Sequence, residues 1–363
     1  MNCILYPPTI NFNWMVQRPQ QLMKAFASLG VKVYFTNPGI KPYNKPIEIQ
    51  PNLFLIRGKQ ALKEIIEKRP IFYFSSAYHV RMINTTQPSL VVYDCLDEAT
   101  EEFAHWAPYF RQAVTKAHLV LATSQKLFNS CKTLNANTIL VPNACADEFF
   151  EKAQRPDTPI PDDMKGIPHP VIGYCGAVAS WCDFELIIKV ADAFPNCSVV
   201  MIGPLYKVTS VPQRPNLYWL GLKSYSQLPQ YLKCFDVGMI PFRVSSMTSA
   251  VNPIKMWEYM AFGMPVVSTA LPETAIYPEV YYSSDHEEFL SNISRSLELE
   301  SPELRQARVE LARSNTWLAR ARVILDAMKK TLSVRERRAT TSSSSRKQGR
   351  VKKHTKRKIN FNE

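Results

Sequence analysis

Short apolar runs alternate along the chain with stretches in which apolar residues recur every three or four positions. Residues 2–6, 31–36, 53–56, 71–75, 90–93, 119–123 and 138–141 are apolar runs. Their length and composition predict strands buried on both faces of a parallel sheet. Residues 16–29 place Leu22, Met23, Phe26 and Leu29 on one side and end at Gly30, which predicts an amphipathic helix. Ser124 predicts the N-cap of a helix reaching Leu134. Strand, helix and strand in this order make βαβ units. Residues 151–170 are rich in Pro, Asp and Lys and lack apolar periodicity, so they read as a linker. A second series follows, with strands at 171–175, 198–202, 217–220, 236–240 and 265–268 and helices at 183–193, 224–234 and 253–262. Ser224 with Gln227, and Asp285 with Glu288, have capping-box spacing. Ser301-Pro302 opens one long helix to about Leu332. The expected architecture is α/β: two doubly wound, Rossmann-like domains, at 1–150 and 171–315, facing a cleft.

Composition adds bounds. A chain of 363 residues, 46% of them hydrophobic, suits two domains. The eight cysteines are spread singly, with no CxxC and no Cys/His cluster at zinc spacing, so reduced core thiols in a cytoplasmic protein are expected. The first residues read as a strand rather than a signal peptide, and no apolar run approaches the ~18 residues that span a bilayer. The net charge of +13 is concentrated at one end. From Arg335 onward eleven basic residues face Glu336 and Glu363, a local +9 that leaves +4 for the rest. Residues 333–363 therefore read as a disordered basic tail. It would be solubilising, or would bind an anionic membrane surface; nucleic acid is disfavoured, since no aromatics are interleaved in the basic cluster and no folded nucleic-acid motif is present.

The chemistry concentrates in residues 252–269, NPIKMWEYMAFGMPVVST. Pro253 suits a first helical turn and Gly263 ends the helix. Lys255 and Glu258 lie three apart and share a face. They are either a surface ion pair or an anion site, in which a helix N-terminus and a lysine hold phosphate and the carboxylate holds a ribose hydroxyl pair. No glycine-rich phosphate loop follows the first strand, which argues against a dinucleotide fingerprint.

This stretch resembles the donor-site motif of the GT-B glycosyltransferases, in particular glycosyltransferase family 4 (group 1). Glu258 takes the place of the family's ribose-binding Glu, with Ala261, Gly263, Pro265, Val266 and Val267 following it. The family's second Glu, eight positions earlier, is Ala250 here. The resemblance covers roughly residues 1–330. It implies a GT-B fold whose last helix, at 316–332, crosses back to the first domain, with Trp317 and Leu318 as anchors. It also implies a nucleoside-diphosphate-sugar donor (UDP or GDP), no metal and no further cofactor, and retention of anomeric configuration.

Other candidates flank the cleft. In residues 14–21, WMVQRPQQ, similar enzymes also carry Arg-Pro-Gln, so Gln17, Arg18 and Gln20 are acceptor-side candidates, unless Arg18-Pro19 merely opens a helix. Asp94 and Asp97 close a strand and are catalytic candidates or helix caps; they lack the Asp-x-Asp spacing of metal-nucleotide chelators. His79 lies past another strand end. Residues 142–150, with Asn143 and Asp147, resemble a turn at the end of the family's first domain. Gly176 lets backbone approach a diphosphate, Gly203-Pro204 borders a base pocket or forms a turn, and Arg243 and Lys255 would neutralise the leaving group. Gly176, Arg243, Asn252, Pro253, Lys255 and Glu258 form the donor-binding set. The expected function is transfer of a sugar from a nucleoside-diphosphate donor to a glycan or lipid-linked acceptor hydroxyl in envelope or surface polysaccharide synthesis, in the cytoplasm or at the membrane's inner face. The alternatives are a GT-B sugar-nucleotide epimerase and an inactive scaffold whose basic tail does the work.

Overall fold

The computed structural model describes residues 3–155 and 157–355, with side chains to residue 337 apart from residue 154. The first sheet comprises β1 (Ile4–Tyr6), β2 (Val33–Thr36), β3 (Ile47–Gln50), β4 (Leu53–Ile56), β5 (Ile71–Phe74), β6 (Leu90–Cys95), β7 (Leu119–Ala122) and β8 (Thr138–Leu140), in the order β3-β4-β2-β1-β5-β6-β7-β8. The second comprises β9 (Val171–Cys175), β10 (Ser198–Ile202), β11 (Leu217–Gly221), β12 (Val237–Ile240), β13 (Val266–Thr269) and β14 (Val280–Ser283), in the order β11-β10-β9-β12-β13-β14. All pairings are parallel except β3 with β4. The antiparallel β3 is an edge strand with mostly exposed side chains, which is why it left no buried-run signature. Chain order reverses beside β1 and beside β9. Each reversal leaves a crevice at the carboxyl ends of the strands, where α/β sheets bind ligands.

The helices are α1 (Arg18–Ser28), α2 (Lys59–Ile66), α3 (Ile83–Thr86), α4 (Ala107–Lys116), α5 (Gln125–Leu134), α6 (Asp147–Gln154), α7 (Phe184–Ala193), α8 (Leu228–Leu232), α9 (Ile254–Ala261), α10 (His286–Glu298), α11 (Pro302–Arg313) and α12 (Trp317–Thr355). Ser124 caps α5 by accepting from Leu127 N, and Asp183 caps α7 by accepting from Leu186 N. Pro229 divides the helix expected at 224–234: a 3-10 turn at Tyr225–Gln227 precedes α8. All eight cysteines are free and buried. Among the described residues no helix is long and apolar enough to cross a membrane.

The long helix expected from Ser301 is two helices. The break at 314–316 is held by the first domain: Cys145 N donates to Asn315 O and Trp317 N donates to Cys145 O. Those bonds redirect the chain so that α12 packs on α1, with Trp317, Ala321, Ile324 and Met328 buried. The described side chains past Leu332 are exposed, while the α12 backbone continues to Thr355. The rest of the basic tail, 356–363, lies outside the described residues.

Candidate active site

The two sheets enclose a cavity of about 540 Å³, lined from the first domain by residues 13–18, Leu96, Asp97, Phe103 and Asn143. From the second it is lined by the end of β9 through Ala177, by Trp181, by Ile202–Pro204, by 222–225, and by Phe242, Met247, Thr248 and residues 251–255 with Glu258. The cavity thus lies between the carboxyl ends of β1 and β6 on one side and of β9, β10 and β12 on the other.

Lys255 and Glu258 both face this cavity from α9. They are not a surface ion pair. The Lys255 ammonium sits over the rings of Phe242 and Tyr174, 4.8 and 5.3 Å from their centroids, an aromatic cradle that favours a cation. Burial pulls its pKa down, while Cys182 and Glu258 oppose that shift. Glu258 is buried and accepts a hydrogen bond from Tyr225 Oη at 3.2 Å. Burial pushes its carboxyl up to about 7, and Lys255 and Tyr225 act against this. A cation and a carboxyl one turn apart, each short of a full partner, face the volume that a ligand would fill.

Glycine shapes this corner. A Cβ on Gly176 would lie 2.8 Å from Lys255 Cε, and one on Gly203 would lie 1.8 Å from Gly176 O. Gly203 also has φ +147, a conformation that L side chains rarely adopt. Two strand ends and the lysine stem meet there without side chains between them. Gly203→Ala is expected to lower stability by more than 1 kcal/mol, about the cost of one strained residue, and to shift Lys255. An unchanged melting temperature would show that the loop adapts.

Asp97 lines the cavity opposite, and burial pushes its carboxyl up to about 7. Asp94 has a different fate. It is fully buried, outside the lining, and receives Arg18 Nε and Nη2 at 2.9 Å each and Tyr73 Oη at 2.7 Å. Arg18 Nη1 donates to Val141 O, Pro142 O and Asn143 Oδ1. Arg18 touches the lining, but its nitrogens are committed to holding α1 against β6 and the chain after β8. Gln17 is exposed at the cavity, whereas Gln20 is buried and bonds to its own loop. His79 is buried outside the lining, and burial lowers its pKa to about 4. Arg243 is exposed and outside the lining; only its backbone reaches Trp181 O and Thr248 Oγ1.

Asn252 lines the cavity and also joins the domains. Its Oδ1 accepts from Asn143 N, its carbonyl accepts from Asn143 Nδ2, and its Nδ2 donates to Glu273, which in turn accepts from Gln125 N at the start of α5. A second set of inter-domain bonds was not legible in the sequence. Glu98 accepts from Ser246 Oγ, Glu101 from Ser245 Oγ and Met247 N, and Glu102 from Ser180 Oγ and Lys207 Nζ. Tyr225 had no signal of its own, although the Ser224–Gln227 capping box places it in the 3-10 turn that follows β11. Among the described residues no group of three His, Cys, Asp or Glu side chains stands where it could hold a metal ion.

No family model matches the chain. It is 30% identical over 189 residues to the putative teichuronic acid biosynthesis glycosyltransferase TuaH of Bacillus subtilis (strain 168), a match spanning 49% of this chain and 47% of that protein. Sucrose-phosphate synthase of Thermosynechococcus elongatus superposes with TM-score 0.68 at 15% identity, covering 92% of this chain and 100% of that one. HepE of Anabaena, solved with UDP and glucose, gives 0.68 at 11% identity, covering 91% and 99%. WaaG, a glycosyltransferase involved in lipopolysaccharide biosynthesis, gives 0.60 at 12% identity, covering 89% and 98%. The chain has the GT-B fold, the fold of a glycosyltransferase group. Its sequence relation to a protein of that description spans about half the length of each chain.

Proposed function

We propose that this chain is a glycosyltransferase that moves a sugar from a nucleoside-diphosphate donor, with UDP-sugars tried first, to an acceptor hydroxyl in cell-envelope polysaccharide synthesis. The observation that carries this is the pairing of Lys255 and Glu258 on one wall of the inter-domain cavity. Glu258 accepts the two ribose hydroxyls. Lys255 and the first free N–H groups of α9 receive the diphosphate and stabilise the charge that grows on it as the sugar leaves, the task a metal performs elsewhere. The names of TuaH and WaaG support the envelope setting, and the UDP in the HepE structure supports the choice of base.

The family resemblance implies retention of configuration. A second reading, inversion, is favoured by Asp97, a cavity carboxyl that burial brings to about 7, near the optimum for a base that takes the acceptor proton. The anomeric proton coupling of the product decides between them. Lys255→Ala is expected to lower kcat about a hundredfold, the scale for losing one preorganised charge-stabilising group. Assays of nucleoside diphosphate release with UDP- and GDP-hexoses check this, and an unchanged kcat would remove Lys255 from the leaving-group site.

A further inference from the structure

We infer that the acceptor half of the cavity is built to receive a sugar ring, stacked on Trp14, so that the acceptor is itself a glycan; this rests on the glycosyltransferase reading above. Trp14 lies in the loop between β1 and α1, lines the cavity and is 42% exposed. The loop carrying it is fixed from several directions. Phe12 is buried edge-on against Phe35, and its N–H donates to Asn37 Oδ1. Gln20, fully buried in α1, donates through Nε2 to the carbonyls of Asn11, Trp14 and Met15 and accepts from Gln17 N. Met15 is held at φ 42, a left-handed conformation that is strained for a residue with a side chain and persists where the surroundings impose it. A loop so constrained could have turned a small polar residue outward. It presents an indole instead.

The surroundings of the indole select the chemistry. Gln17 and Asp97 line the same cavity from the same domain. A flat apolar surface that shares its cavity with an amide and a carboxyl fits a pyranose ring, which has one face of C–H groups and a rim of hydroxyls. An acyl chain would leave those polar groups buried without partners, which is costly. Gln20 is then a positioning residue, acting on the acceptor only through the loop.

Saturation-transfer NMR on the full chain with UDP tests this, using methyl hexopyranosides and methyl 2-acetamidohexopyranosides as sugar probes and hexanol as the acyl-chain probe. At least one sugar is expected to receive saturation through the C–H protons of one ring face. Trp14→Ala should weaken that probe's binding about tenfold, the scale of one aromatic contact, and Trp14→Phe should largely restore it. Gln20→Leu should weaken it comparably. UDP signals should persist in every variant, which shows that the protein is folded and its donor site intact. Hexanol saturated in a Trp14-dependent way with no sugar saturated, or a sugar bound equally well by Trp14→Ala, overturns the inference. Failure of the unmutated chain to bind any of UDP, GDP, ADP and TDP defeats the glycosyltransferase reading instead, so the two failures are separable.

Discussion

Glu258→Ala is expected to lower kcat/KM for the nucleotide sugar by about a hundredfold, with most of the loss in KM. A carboxylate that accepts hydrogen bonds from a ligand contributes about 1.5–3 kcal/mol, and among the described residues the Tyr225 hydroxyl is the one donor to the Glu258 carboxylate. Glu258→Gln keeps the volume and one acceptor, so a loss nearer tenfold is expected. Steady-state kinetics at fixed acceptor concentration measure both. The same residue gives a pH signature. Its carboxyl rises from an ordinary value of 4.5 to about 7 in the folded chain. Between those values the folded chain keeps a proton that the unfolded chain has released, so this group's contribution to stability without nucleotide falls as pH rises from about 4.5 to 7. Asp97, raised from 3.8 to about 7, adds to this slope with the same sign. The proposed donor site uses the ionised form of Glu258 to accept the ribose hydroxyls, so nucleotide affinity is expected to rise as pH passes about 7. Burial lowers the pKa of His79 and His118 to about 4, which acts with the opposite sign, so the signature is read as a difference: melting curves from pH 5 to 8 should show the unmodified chain losing stability relative to Glu258→Gln as pH rises. A difference between the two that does not change with pH across this window contradicts the assignment.

Arg18→Ala is expected to cost about 3–5 kcal/mol of stability, because it strands the fully buried Asp94 carboxylate without its partner. The guanidinium also holds three groups of the chain after β8 and lies over the ring of Trp317 in α12. Burial works against its charge, and Asp94 and Tyr73 together more than compensate, so it stays protonated. Replacing both partners by apolar residues, Arg18→Met with Asp94→Leu, should recover much of the loss, since neither charge is then buried alone. Denaturant unfolding of the single and double variants measures this. A small loss for the single change would mean that water reaches Asp94.

Much of the fold was legible because buried parallel strands are continuous apolar runs and helix caps have local signatures. Every strand of the second sheet except β14 was read to within about a residue. The exposed edge strand β3 left no such run. The break between α11 and α12 is imposed by Cys145, which is distant in sequence. The cavity wall formed by α9 was legible for a similar reason: Lys255 and Glu258 owe their shared face to helical spacing alone. The roles of Arg18, Asp94 and Gln20 were not, because a polar residue beside a strand end looks the same whether it faces a cavity or is consumed by a partner 76 residues away. Arg243 differs again, since the turn after β12 sends its side chain outward. Asn252 combines a place in the lining with a domain contact that only the folded pairing with Asn143 reveals.

The measurement that tests the central claim most directly is a thermal-shift panel of UDP, GDP, ADP and TDP against the unmodified chain and Glu258→Ala. A ligand that binds only the folded state at a hundredfold excess over its dissociation constant adds about 2.7 kcal/mol of stability. At least one nucleotide, UDP in the first instance, should raise the melting temperature of the unmodified chain, and the rise should vanish in Glu258→Ala. No shift with any of the four, or a shift that survives the substitution unchanged, would contradict the donor site proposed on α9.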